Sequence, residues 1–224
     1  MNDRSSPQPV HDGDTSRQDE DQLYRLIVKR ATNVAIWAGS IIHKVEVPEP
    51  NLRKRLAGGS LALSLDLYGS MCCLASLEGK SGVYVLARSV IENYARGFWL
   101  ACIAKTDEID KYSKRRMTLT LKPLLRTIRT SQFAAQSRLG IDEKDAGVFD
   151  SLTHGDIGHM LLRNINGAQI GTTTDHTASA GMLFIGATIA VSCVENYVRE
   201  ILDDKIRSEK LFKEGMILVA HMAE

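Results

Sequence analysis

The chain has no Gly-rich phosphate loop, no Gly-x-Ser-x-Gly elbow, no His-Glu-x-x-His helix and no kinase-like motif set. The common nucleotide-binding, serine-hydrolase and zinc-protease signatures are therefore excluded. It has no charge of one sign to spare, since 28 basic and 27 acidic residues leave a net charge of +1, and nothing global draws it to a polyanion. Cysteine is scarce. Cys72, Cys73, Cys102 and Cys193 sit in apolar helical patterns without CxxC or Cys/His zinc spacing, which predicts buried reduced thiols, a cytoplasmic protein and no metal or other cofactor. The first 22 residues are polar and offer no apolar core to a secretion apparatus, so no export signal is expected. No stretch alternates apolar and polar residues for long enough to make a strand.

What is present is helix, in 224 residues of which 44% are hydrophobic, ample for one core. Residues 1–18 are polar and aperiodic and read as a flexible tail, leaving residues 19–224 as a single all-α domain. In it Leu23, Leu26, Ile27, Val34, Trp37 and Ile41 recur at helical spacing from an Asp19 cap until Val47-Pro48-Glu49-Pro50 forces an extended link. A second helix spans 51–77, loosened at Gly58-Gly59, and a third 81–105, with Thr106 and Asp107 placed to cap the next. Residues 107–138 form two pieces, Pro123 lying in the first turn of the second. Residues 142–154 and 156–165 read as short helices, 166–174 as a loop, and 175–206 as the last long helix, with a terminal one after it. The expected architecture is a helical bundle of six to eight helices without significant sheet.

Residues 177–194 carry no formal charge, about the minimum length of a membrane span. Their Thr, Ser and Gly content, with Glu195, Arg199 and Glu200 directly after, favours a buried bundle helix and no membrane. One further pattern is an echo: Ser89-Val-Ile-Glu-Asn-Tyr-Ala-Arg96 is answered by Ser192-Cys-Val-Glu-Asn-Tyr-Val-Arg199. A remnant of two similar helical hairpins would leave such an echo, but the likeness fades outside the two helices, and chance similarity between amphipathic helices is the expectation.

The third helix carries the most chemistry. Arg88, Glu92 and Arg96 stand four residues apart and Trp99 falls on the same line, so basic, acidic, basic and aromatic side chains share one face. Val85 and Ile103 lie in that arc, so the wall of a cleft or a subunit interface stands against a solvated ion-pair face. As a cleft, its guanidinium forks suit phosphate or carboxylate.

The segment Leu86-Ala-Arg-Ser-Val-Ile-Glu-Asn-Tyr-Ala-Arg-Gly-Phe-Trp-Leu100, then Cys102-Ile-Ala-Lys-Thr-Asp107 and Thr153-His-Gly155, resembles an uncharacterised family of bacterial all-helical proteins. Its members share an Arg-x-x-x-Glu-x-x-x-Arg-Gly-x-Trp-Leu helix and a Thr-His-Gly turn. The resemblance runs over residues 35–200 in order of elements and is carried by about 20 positions. Such families look distantly like HEPN domains of bacterial toxin and phage-defence systems, many of them metal-independent ribonucleases. The resemblance implies a polar site of Arg88, Glu92 and His154, with Arg96, Trp99 and Arg163 as ligand-binding neighbours. It departs from HEPN nucleases in one respect, because no Arg here has a His four to six residues downstream.

His154, before Gly155, is either a helix C-cap or an acid/base residue beside Arg88 and Glu92. Asp150, His154, Asp156 and His159 lack a ligand spacing, so no metal is expected. From 111 to 141 there are eight basic residues and no acid, with Lys122, Arg126 and Arg129 on one face. That face suits an RNA phosphate backbone, but aromatics for stacking are absent apart from Phe133, which favours a solvated or internally paired surface. The acidic N-terminal tail is one candidate partner for it. Three readings stand: a self-associating interaction module, homodimeric or bound to a protein partner; a metal-independent ribonuclease; and a phosphate- or carboxylate-binding protein.

Overall fold

A computed structural model describes residues 13–77, 80–149, 164–165, 169–170 and 176–224. It is an all-α bundle, as the periodicity predicts. Helix α1 (Gly13–Ile42) buries Tyr24, Val28, Ala31, Val34 and Ala38, a stripe advancing three or four residues at a time. It starts at Gly13, inside the stretch read as tail, because no helix breaker follows that glycine until Gly39. Lys44 and Glu49, both with positive φ, flank the turn before α2 (Leu52–Ser76). Asn51 caps α2 by accepting from the Lys54 amide at 2.9 Å. Gly58-Gly59 does not loosen α2, since Gly58 lies against Tyr197 and Ile201.

Helix α3 (Lys80–Phe98) runs into a single π turn, Trp99–Ile103, closed by the Ala104 amide on the Trp99 carbonyl at 2.8 Å. Arg53, from the first turn of α2, donates to the Leu100 and Ala104 carbonyls at 2.8 and 2.7 Å, satisfying acceptors that the helix end leaves open. Helix α4 (Thr106–Ser113) is capped at Lys105, whose amide donates to the Glu108 carboxylate at 2.7 Å; Thr106 and Asp107, expected as the cap, are already inside the helix. Helix α5 (Leu121–Thr130) holds Pro123 in its first turn. A 3₁₀ turn, Ala135–Ser137, leads to Arg138, whose backbone is left-handed with φ 53°. Residues 164–165, expected to end a helix, instead form a two-residue strand β1 (Asn164–Ile165) antiparallel to β2 (Gln169–Ile170), too small to count as a sheet.

The uncharged segment forms α6 (His176–Asn196), ending in a second π turn, Tyr197–Ile201; α7 (Lys205–Ala220) completes the bundle. By length and composition α6 could cross a membrane. In the bundle it is the central helix, packed on α1, α2, α3 and α7, and every residue from Ile189 to Val198 is buried. Close approach requires residues without a side chain. A Cβ at Gly97 would sit 2.8 Å from the Leu61 side chain and 3.1 Å from its backbone nitrogen, so α2 and α3 meet there only through glycine. Gly186 likewise lies under Tyr68 and Met71, where a Cβ would stand 2.7 and 2.8 Å from them.

Three cysteines match the buried reading to different degrees, Cys72 and Cys193 being buried and Cys102 half-buried, whereas Cys73 is exposed on α2. Its neighbour Cys72 takes the inward position because successive helical residues differ by about 100°. Burial pushes the Cys72, Cys102 and Cys193 thiols up to about 12, so they carry almost no thiolate at neutral pH. A thiol-disulfide reagent added to the native chain at mildly alkaline pH is expected to modify Cys73 alone at first. All four cysteines should react after denaturation. Rapid native reaction of Cys193 would contradict this packing.

Candidate functional site

On α3 the structure brings three of the expected residues together. The Glu92 carboxylate faces both arginines of its own helix: Arg96 donates a hydrogen bond to Oε1, and an Arg88 terminal nitrogen stands 3.9 Å from Oε2. Arg96 also donates to Asn93 Oδ1 at 3.0 Å. The three side chains retain 20%, 21% and 18% exposure for Arg88, Glu92 and Arg96, neither a solvated face nor a sealed interior. Trp99 is more deeply buried than the three charged residues. Its indole, at the start of the π turn, is 3% exposed and edge-on to Tyr112 of α4, so it packs against protein rather than facing a ligand. His154 and Arg163 lie outside the described residues, as do Asp150, Asp156 and His159. Among the described residues no group of three or more His, Cys, Asp or Glu could hold a metal.

The basic stretch is largely paired within the chain. Arg126 and Arg129, one helical turn apart on α5, both reach Glu143, at 3.0 and 3.3 Å. Lys111 pairs with Asp107 and Lys114 with Asp110 across single turns of α4. Of the three basic residues on the predicted RNA-facing line, only Lys122 is left without a described ion pair. The acidic N-terminal segment does not meet this stretch through Asp21, which binds His176 at the start of α6 at 2.9 Å instead.

A second polar cluster, which the sequence reading passed over, occupies the centre of the bundle. Glu195 is 1% exposed and receives Arg199 on Oε1 at 2.9 Å, while Arg138 Nε stands 3.5 Å from Oε2. Arg199 also donates to Asn196 and, at 3.0 Å, to Glu200, which in turn accepts from Gln136 at 2.9 Å. Asn196 donates to the Tyr94 hydroxyl at 3.1 Å, and that hydroxyl donates to the Ser137 carbonyl. The cluster therefore ties α3, α6 and the turn after α5 through bonds between residues up to 102 positions apart. Desolvation drives the Tyr94 hydroxyl pKa well above the ordinary value.

The echo noted in the sequence gains a physical meaning here. Asn93 donates to the Ser89 carbonyl and Asn196 to the Ser192 carbonyl, both at 2.8 Å. Each arginine then grips the glutamate four residues back and the asparagine three back. Ser-x-x-Glu-Asn-x-x-Arg is thus a self-bonding helical unit that the i,i+3 and i,i+4 geometry produces wherever it occurs. One copy lies at the margin of the bundle and the other at its centre. The signal for the second copy was the glutamate placed directly after an uncharged run, where a lone charge has to find a partner.

Beside this centre, between α6 and residues 138–149, lies a cleft of about 450 Å³. Its walls are Leu139, Ile141, Val148, Phe149, Met182 and Ile189, with Phe184 and Ile185 at the α6 side. The hydroxyls of Thr188 and Ser192 are turned back to carbonyls of their own helix, at 3.1 and 3.0 Å, so that wall is effectively apolar. Among the described residues, Arg138 and Asp145 bring the formal charges to it. Comparison with protein-family models, with curated proteins and with solved structures finds no match to the chain.

Proposed function

We propose that the chain is a self-associating helical-bundle binding module, soluble in the cytoplasm and acting in the bacterial defence or toxin–antitoxin setting that its resemblance implies. The observation that carries this reading is the occupation of Glu92. Both carboxylate oxygens face guanidinium groups of the same helix, so Glu92 holds Arg88 and Arg96 as a preformed ion-pair unit. Partly exposed ion pairs next to the exposed Val85 suit a register-fixing contact between helices better than a reaction centre. Leu23 and Ile36 on α1 and Leu63 on α2 add exposed apolar surface.

Sedimentation equilibrium at micromolar concentration is expected to show a mass at least twice the 24.7 kDa of one chain. Glu92→Ala should weaken that association. With a fifth of each side chain exposed, its cost to the fold is expected to be about 1–2 kcal/mol, below the range for breaking a fully buried pair. Cleavage of single-stranded RNA by the wild type in the presence of chelator, lost in a Glu92→Ala chain of unchanged melting temperature, would replace this reading with the ribonuclease one.

The burial of α6 supports solubility. The chain is expected in the supernatant of a high-speed spin without detergent. Retention in the membrane fraction after a high-salt wash would overturn it.

A further inference from the structure

We propose that the cleft between α6 and residues 138–149 is a binding site for a small apolar molecule carrying one carboxylate, and that Arg138 recognises the carboxylate. The inference is independent of the α3 network and goes beyond the self-association reading.

The size is suitable, since about 450 Å³ falls within the usual range of small-molecule sites, about 300–1,000 Å³. The lining asks for an apolar body, because Leu139, Phe149, Met182 and Ile185 present only carbon or thioether surface and the α6 hydroxyls are satisfied by their own helix. The head group follows from Arg138. Its guanidinium is held on two sides, the Nε edge toward Glu195 Oε2 at 3.5 Å and the flat face 4.5 Å over the Phe212 ring. Its two terminal nitrogens make no hydrogen bond to the described residues, and the side chain is 46% exposed at the cleft wall. A guanidinium has two donor edges, so one can serve the buried glutamate while the other presents a parallel pair of N–H groups, which matches a carboxylate.

Asp145, the other charge on the lining, is less free to select a cation, because its Oδ2 already accepts the Asp142 amide at 2.8 Å. Among the described residues, the two terminal nitrogens of Arg138 are thus the cleft's charged donors without a hydrogen bond. A carboxylate on a molecule seated in the cleft is an acceptor that matches them.

Three probes sharing one aromatic body separate the contributions: naphthylacetate, naphthylethanol and naphthylethylamine, each titrated calorimetrically into the full chain at neutral pH. Naphthylacetate is expected to bind at least about tenfold more tightly than the alcohol, and the amine more weakly than either. Arg138→Gln should lower naphthylacetate affinity to that of the alcohol without changing the alcohol's own. Ile185→Trp, which fills the cleft, should remove binding of all three while the circular dichroism melt stays cooperative. Arg138→Gln deprives Glu195 of a partner and can unfold the chain; the ranking of the three probes on the wild type then decides alone. Equal affinity for acid and alcohol, preference for the amine, or no binding of any probe at millimolar concentration overturns the proposal.

Discussion

Replacing Glu195 by alanine is expected to lower the free energy of unfolding by about 3–5 kcal/mol, the range for removing one partner of a buried ion pair. Glu195 is 1% exposed, and its carboxylate is the group on which Arg138 and Arg199 meet. Without it Arg138 loses its only ion pair among the described residues. Arg199, 13% exposed, keeps Glu200 and Asn196 but is left with more buried positive charge than those partners match. The same change at Glu92 removes a chemically identical i,i+4 unit from a site about a fifth exposed, where water takes over part of the lost interaction. The two alanine variants thus form an internal comparison in which sequence is held nearly constant and burial differs. Urea titrations of both, read as midpoints at unchanged slope, measure it. A Glu195→Ala loss no larger than that of Glu92→Ala would show that the central cluster contributes little to the fold.

That comparison also marks where the sequence is informative. Helix α2 is legible nearly to the residue, because Asn51 and the Glu78-Gly79-Lys80 sequence are local signals that act on the backbone beside them. The Arg88–Glu92–Arg96 line is legible for the same reason: its partners lie four residues apart and any helix brings them together. The start of α1 is six residues out, since residues 13–18 lack apolar periodicity and helix continuation across them is a matter of weak propensity. Helical spacing places Trp99 beside the ion pairs but does not say how deeply it is buried, because Tyr112, which covers the indole, comes from another helix. The central cluster and the cleft were illegible in a different sense. Gln136 meets Glu200 across 64 residues, Tyr94 meets Ser137 across 43, and Arg138 reaches α6 from a left-handed turn; no local pattern encodes such meetings.

Stability is expected to hold steady from neutral pH to about pH 8 and then to fall, with a slope that reaches at least about 3 kcal/mol per pH unit once the unfolded thiols are ionised and pH is still below the folded pKa values. The cause is the burial of Cys72 and Cys193, which pushes both thiols up to about 12 in the folded chain. In the unfolded chain a thiol titrates near its ordinary value of about 8.5. A folded pKa raised in this way means that the native state keeps the proton the unfolded state releases. The associated stability is therefore fully present below the unfolded pKa and is lost as pH rises toward the folded one. Each thiol contributes about 1.4 kcal/mol per pH unit in that window, and the two buried ones together give the slope stated. Cys102 adds to it in the same direction, its thiol raised first by burial and then by the nearby Glu200 carboxylate, with Arg199 and Arg53 opposing. Above about pH 10 the phenols of Tyr68 and Tyr94 join them, both held well above the ordinary tyrosine value by desolvation. Urea midpoints measured in steps between pH 7 and about pH 11 test the curve. A Cys72→Ala, Cys193→Ala double variant supplies the control, since it removes both groups at the cost of small cavities and should flatten the descent between pH 8.5 and 10 while lowering the plateau. If the double variant instead falls as steeply as the wild type, the thiols are not the source, and the tyrosines or the Glu195 cluster have to carry the alkaline transition.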